Sequence, residues 1–558
     1  MQTLRLIRTR AFLPLCAAGL LACGADAPPR GRQLESGAGA DADADAGAAE
    51  APAARTFYVR ADGDDGVDGR SPSRAWQSLA RVNQDRLLPG DSVLLEAAAT
   101  FRGTLRLDLE DSGSASAPVR IGVEGQGRAR IEAGAGNAVE IRGASHVIVE
   151  RLQLQGGWDA ARQSGNEGEG VSVISEVSAC GLRLRELEAS GFKRAGIALR
   201  ARPADDAKGQ GYCDVEIRDA ELHDNGDVGL VTDGPFATES RAYSHRDLRV
   251  IAVRAHHNRG LRGSRQHTGS GIVLADVDGA RIERCVAHDN GEHNDTAPNG
   301  GFGIWAWDAR RVLIQYNEAY GNRSQTRDGG GFDLDGGVTE SLMQYNYSHD
   351  NHGAGFGVFQ FAFARPYGDN RVRYNISQND GTAFAAWDDN GDMGAVQLTH
   401  NVGYGDEPSV STFSALRELT FHNNIFFGTG PLLLDVFDGR RLQLQSNVYW
   451  TGSAPLRMRW DSGTSRSQSF SDFATFQAAT GQEASGSFVD PQLMAVGTAP
   501  TLDDASRLPT LTMYQLQPSS PLIDRGLTLD SAEASEQDFF GGAAPRGAAP
   551  DIGVHELR

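Results

Sequence analysis

One short pattern returns six times between Val312 and Asn447: Val312-Leu-Ile-Gln-Tyr-Asn317, Leu342-Met-Gln-Tyr-Asn346, Val372-Arg-Tyr-Asn375, Val396-Gln-Leu-Thr-His-Asn401, Leu419-Thr-Phe-His-Asn423 and Leu442-Gln-Leu-Gln-Ser-Asn447. Apolar residues alternate with polar ones, as in a strand with one buried face, and each run stops at asparagine. Asparagine tolerates left-handed backbone angles and can hydrogen-bond both its own backbone and the next coil, so a stack of such turns forms a ladder. A second apolar run precedes these strands: Gly271-Ile-Val-Leu-Ala, Phe302-Gly-Ile-Trp-Ala-Trp, Phe332-Asp-Leu-Asp, Phe356-Gly-Val-Phe-Gln-Phe and Phe384-Ala-Ala-Trp, recurring about every 24 to 30 residues. No helix-period stretch separates the strands, which excludes βαβ winding and predicts a parallel β-solenoid.

Working outward, the repeats occupy 138–452, with an N-terminal cap and first coils over 56–137 and a C-terminal coil and cap over 453–558. At the start, Arg5, Arg8 and Arg10 precede an apolar run from Ala11 to Leu21, too short for a permanent membrane span. This predicts a signal peptide over 1–22. Residues 23–55 are rich in Ala, Asp, Gly and Pro with almost no large apolar side chain, so they are expected to form a disordered tether. The net charge of -20 and pI near 5.1 leave no basic face for nucleic acid. Only two of the 53 basic residues are lysines, Lys193 and Lys208, so lysine-base chemistry is short of candidates. Cys180-Gly-Leu-Arg-Leu-Arg-Glu and Cys213-Asp-Val-Glu-Ile-Arg-Asp match position for position. Stacked coils put the two sulfurs about 4.8 Å apart, as a disulfide or as a buried thiol ladder. The Asp62–Asp68 cluster lacks the spacing of a calcium loop and reads as a turn.

The residues resemble two known patterns. Leu20-Leu21-Ala22-Cys23-Gly24 is similar to the bacterial lipobox, which implies lipidation of Cys23 and an exported protein, an outer-membrane or cell-surface lipoprotein or otherwise secreted. The repeat resembles the right-handed parallel β-helix proteins of the pectin lyase-like class, the class of polysaccharide lyases and some glycoside hydrolases. That resemblance implies a short N-terminal capping helix near Trp76 and an irregular C-terminal cap at Ser520-Pro-Leu-Ile-Asp524-Arg-Gly526, Pro545-Arg546 and Asp551-Ile-Gly-Val-His-Glu556. It also implies a substrate cleft over one parallel sheet. Solenoids with capped ends are expected to be monomers.

Stacking Phe302, Phe332, Phe356 and Phe384 inward puts the residues one and three places later on the outer face: Gly303 and Trp305, Asp333 and Asp335, Gly357 and Phe359, Ala385 and Trp387. An acidic pair thus lies between exposed aromatics, and Trp307 extends the aromatic surface. Aromatic rings stack on the C–H faces of sugars and carboxylates bind their hydroxyls, so this set fits a polysaccharide groove. Asp333 and Asp335 alternate on one strand with Cα atoms roughly 6.5 to 7 Å apart. They suit an acid and base pair for glycosidic cleavage. Alternatively, with Asp328, they hold calcium that neutralises a uronate, the logic of a lyase. Arg327 and Arg365 are candidates for binding a carboxylate or acting as the lyase base. His293 is a candidate for proton transfer, and His267 for capping the cleft. Asp388 and Asp389 are secondary ligands or turn residues. His223, His256, His288 and His349 each fall two places before a turn asparagine and read as a stacked surface ladder. Two functions remain open: an extracytoplasmic lyase or glycoside hydrolase, or a non-catalytic glycan-binding or adhesive surface protein.

Overall fold

In a computed structural model the described residues are 53–557, apart from 205–208, 237–241, 296–299, 390, 413–417, 464–465 and 531–534. The expected signal peptide, Cys23 and all but the last three residues of the tether lie outside them. The body is a parallel β-helix. Each coil contributes strands to three faces, and the alternating sequence turns one side of each strand inward. One face is a continuous sheet from Thr100–Arg102 to Ser487–Phe488. The other two faces are joined into a second sheet by long strands, Ser270–Glu283 and Ile304–Gln315, which run across the corner between them. Among the described strands every pairing is parallel except Met458–Asp461 with Ser467–Phe470, near the C-terminal end of the stack.

Identical inward positions stack coil upon coil. Leu230, Ile272, Ile304, Phe332, Phe356, Phe384, Val410, Leu434 and Met458 form one register row. All are buried, and the phenylalanine rings are parallel at 5.2 and 5.7 Å. The row corrects one expectation: Phe332 pairs with Ile304, so Phe302 is two places out of the inward stack and packs in an outer cluster with Trp305 and Ala385. The reason is local. The chain at Gly301 to Gly303 has not yet entered the strand, which begins at Ile304, so counting from the phenylalanine misplaces the register.

Two asparagine ladders fix the corners. One runs through Asn225, Asn258, Asn290, Asn322 and Asn351 and ends on Asp380. The other runs through Asn317, Asn346, Asn375, Asn401, Asn424 and Asn447 and ends on Glu483. In the fifth quoted strand the ladder residue is therefore Asn424, one place beyond the expected Asn423. Asn346 is typical: its Nδ2 donates to the Ile314 carbonyl and to Asn375 Oδ1, and its Oδ1 accepts from the Asn317 backbone and side chain, all at 2.9–3.1 Å. Burial pushes the terminal Glu483 carboxyl up to about 7. Asn346→Ala strands several buried polar groups, at roughly 1–3 kcal/mol for each one left unsatisfied. A lower midpoint in urea unfolding checks this.

The ends differ in kind. At the N-terminus a single helical turn, Leu79–Val82, is capped by Ser78, and Trp76 stacks on Phe57 at 4.6 Å. Asp64, Asp65 and Asp68 serve turns and this cap. At the C-terminus the helix Phe473–Thr480 sets Phe476 against Trp460 and Phe470. The remaining chain does more than cap the end: it folds back along the outside of the coils. Arg254 pairs with Asp503, the Leu502 N–H donates to Glu318, and Gln378 donates to the Ala499 carbonyl. It covers outward apolar groups such as Tyr347, Ile376 and Val402 that water would otherwise meet. Cys180 and Cys213 are register partners with Cα atoms 4.5 Å apart and form a disulfide, and Cys285 is a buried thiol.

Candidate active-site cleft

The strand Phe332–Leu334 buries Phe332 and Leu334 and turns Asp333 outward, in register with Trp305 on one side and Gly357 on the other. The next outward row brings Phe359 beside Trp387. Asp335 follows at the end of the strand, its backbone N–H bonded to the Ala306 carbonyl and its Oδ1 accepting from the Gly336 N–H at 2.7 Å. From the side, the loop before the strand delivers Asp328, whose Oδ2 accepts from the Gly300 N–H at 2.9 Å. These groups line one cleft of about 100 Å³ with His267, Phe302, Trp305, Phe359, Phe361, Trp387 and Asp389. A second depression of about 330 Å³ adjoins it, shares Asp328, Phe359 and Trp387, and adds Arg327, His352 and Thr382. The acidic pair does lie among aromatic residues, but Trp305 is not the exposed ring expected: it is 3% exposed, packed in the outer apolar cluster with its Nε1 donating to Ser270 Oγ, which leaves Phe359 and Trp387 as the open rings; Asp328 and Asp389 also line the cleft.

The carboxyls of Asp328, Asp333 and Asp335 have different surroundings. Asp333 is only 1% exposed, and its Oδ1 has no hydrogen-bond partner among the described residues. Burial, then the charges of Asp335 and Asp328, push its carboxyl well above the usual range. Asp335 keeps part of its surface open to the cleft; burial, opposed by the Gly336 N–H, pushes it up to about 7. Burial also raises Asp328, to about 6, against the Gly300 N–H and the nearby Arg327 guanidinium. An ideal Cβ at Gly357 would lie 2.8 Å from Asp333 Oδ1 and 2.7 Å from the Phe359 ring, so glycine keeps the space beside that carboxyl open.

Asp333 also sets a stability trend. A carboxyl whose folded pKa lies above its unfolded value contributes most below the unfolded value, and that contribution is lost as pH rises through the folded one. Asp333→Asn removes this loss. Its melting temperature is expected to exceed that of the wild type at pH 8, with the gap closing at pH 4.

Other candidates are placed differently from expectation. Arg365 does not face the cleft. Its side chain, 4% exposed, is ion-paired to Asp308 at 2.7 Å and to Asp276 at 3.8 Å, lies over the Tyr243 ring at 4.2 Å and donates to the Ala242 carbonyl. An arginine in a chain this acidic is drawn to buried carboxylates that sequence spacing does not reveal. His293 is buried, with Nδ1 3.4 Å from the Gln163 amide, and is not among the cleft residues. His267 is: it meets Trp305 edge-on at 4.8 Å, and burial lowers its pKa to about 4, so the ring is neutral at physiological pH. Trp307 faces Phe236 and Phe361 at the cleft's far edge. Arg327 stacks on Trp387 at 4.7 Å. Asp388 accepts three backbone N–H groups in a turn, whereas Asp389 accepts from Trp387 Nε1 at 2.6 Å on the cleft wall. Asp328, Asp333 and Asp335 do not bring three donor atoms within 4.8 Å of one another; among the described residues that grouping occurs at His257, His288 and Asp289.

A family profile described as a right handed beta helix region matches residues 251–449. The fold is a right-handed parallel β-helix. The chain is 25% identical over 473 residues to a lacto-N-biosidase of Bifidobacterium longum subsp. longum, a match covering 66% of this chain and 28% of that much longer protein. The solved GH136 lacto-N-biosidase from Eubacterium ramulus superposes with a TM-score of 0.53 at 21% identity, over 65% of this β-helix and 68% of that chain.

Proposed function

We propose that this β-helix is a glycoside hydrolase that cleaves a glycan bound along the aromatic cleft, with Asp335 as general acid and Asp328 as the ionised carboxylate. The carrying observation is that Asp328, Asp333 and Asp335 share one cleft in environments that separate their proton affinities. Asp335 holds its proton near neutrality and is open enough to reach a glycosidic oxygen. Asp328 titrates lower, beside Arg327, and supplies negative charge to a developing oxocarbenium ion, either directly or through a water. Asp333 is too deeply set to reach the bond. Neutral, and with no hydrogen-bond partner at Oδ1 among the described residues, it is suited to hold a sugar hydroxyl. Phe359 and Trp387 provide the stacking faces. The lacto-N-biosidase likeness supports hydrolysis over elimination, while the aspartate cleft stands without it.

The same proposal places the enzyme outside the cytoplasm, held by a lipid on Cys23. The signal-like N-terminus and the Cys180–Cys213 disulfide, a bond of oxidising compartments, support this. The test is an activity screen of residues 53–558 on neutral and acidic glycans, with and without calcium, following reducing ends and 235 nm absorbance together. Reducing ends alone are expected. A calcium-dependent rise in both signals identifies a lyase and overturns the hydrolase reading; silence in both leaves a glycan-binding module.

A further inference from the structure

The outer side of the third face carries a repeated two-residue corner. In three coils a histidine Nδ1 meets the carboxylate of the aspartate that follows it: His223 with Asp224 at 2.7 Å, His288 with Asp289 at 2.8 Å and His349 with Asp350 at 2.7 Å. The histidines stack with Tyr320 into one ladder, with centroids 4.7–5.0 Å apart. The aspartates all take left-handed backbone angles, φ 52–54°. Each pair satisfies itself.

One coil breaks the pattern. Where the aspartate belongs, the chain has His257, at φ 53°, and His256 Nδ1 faces His257 Nδ1 at 2.9 Å. Two ring nitrogens at that distance share at most one proton, so one presents its lone pair. His256 and His288 are register partners, which sets His257 beside the His288–Asp289 pair of the next coil. Donor atoms of His257, His288 and Asp289 all lie within 4.8 Å of one another. One coil further the corner residue is Gly321, where a Cβ would come 2.8 Å from Asp289 Oδ1, so that side of the carboxylate stays uncovered. His288 is 7% exposed and its Nε2 has no hydrogen-bond partner among the described residues.

We propose that His257, His288 and Asp289 bind a transition-metal dication, zinc being the best match, as a clasp between neighbouring coils. Two imidazoles and one carboxylate suit zinc, whereas calcium and magnesium require shells of oxygen. Tetrahedral zinc with bonds of about 2.0–2.1 Å needs donors about 3.4 Å apart, which small side-chain rotations supply from the observed spacing. Water completes the shell on the open Gly321 side. Each imidazole binds through a lone pair, so the ring nitrogen that meets the metal is the unprotonated one and the ring's proton sits on its other nitrogen, while Asp289 supplies the negative charge. The site shares no residue with the aspartate cleft and stands whatever the glycan chemistry proves to be.

Isothermal titration of zinc into the chelator-treated full chain tests this. One equivalent is expected to bind, and His257→Ala and Asp289→Asn each weaken binding roughly tenfold or more. His223→Ala, in the same ladder but outside the triad, leaves it unchanged. Circular dichroism and melting of the metal-free variants establish that they are folded; if His257→Ala is not, Asp289→Asn carries the test. Cobalt substitution is expected to give the visible spectrum of a four-coordinate site. Absence of saturable binding, or binding undiminished in the triad variants, overturns the proposal.

Discussion

Asp335→Asn is expected to cut turnover by roughly 10²- to 10⁴-fold while glycan binding is kept, because the variant preserves shape and removes only the transferable proton. Substrates with acidic phenol leaving groups need little protonation, so on them the loss shrinks by at least an order of magnitude. That contrast separates a lost acid from a damaged cleft; an equal loss on both substrate types counts against Asp335 as the acid. The pH profile gives an independent check. Asp335, raised to about 7, must be protonated, so activity falls as pH rises through that value. Asp328, raised to about 6, must be ionised, so activity falls as pH drops through that value. A bell bounded by the two is expected, and Asp328→Asn removes its acidic limb along with most of the rate.

Arg365→Met is expected to be the most destabilising single change. It removes the guanidinium that pairs with Asp308 and Asp276, both at most 3% exposed on the side chain. Breaking a buried pair from one side costs about 3–5 kcal/mol, mostly from the stranded charge. The loss reaches the cleft, because the Arg365 carbonyl accepts from Gln360 Nε2 and Gln360 Oε1 accepts from the Gly337 N–H just beyond Asp335. Unfolding of Arg365→Met by denaturant should therefore show a lowered midpoint, and Arg365→Met combined with Asp308→Leu should recover part of it. If the double variant is less stable than the single one, the cost is lost packing rather than stranded charge.

The solenoid was legible because it is written as repetition. Each coil must present the same face inward and the same polar group at the corner, so Asn317, Asn346, Asn375, Asn401 and Asn447 announce the ladder that the structure contains. Asp333 and Asp335 stood out for the complementary reason: they are carboxylates where neighbouring coils carry glycine, alanine or aromatic residues. Register was less secure. Phe302 looks like the other phenylalanines but enters the coil before the strand begins, and only the pairing of Ile304 with Phe332 reveals the slip.

Sequence by itself thus determined the β-helix, its corner ladders and the strand that carries the aspartates, since all three follow from short-range alternation and a constant repeat. Tertiary structure alone decided which side chains share the cleft. Asp328 and His267 come to it from loops of different coils, Arg365 leaves it for Asp308, and His293 is buried beside Gln163. Loops vary in length from coil to coil and carry no period, so their side chains are positioned by contacts across the stack. The proton affinities follow the same division, because the shifts at Asp328, Asp333 and Asp335 arise chiefly from burial, which no spacing along the chain encodes.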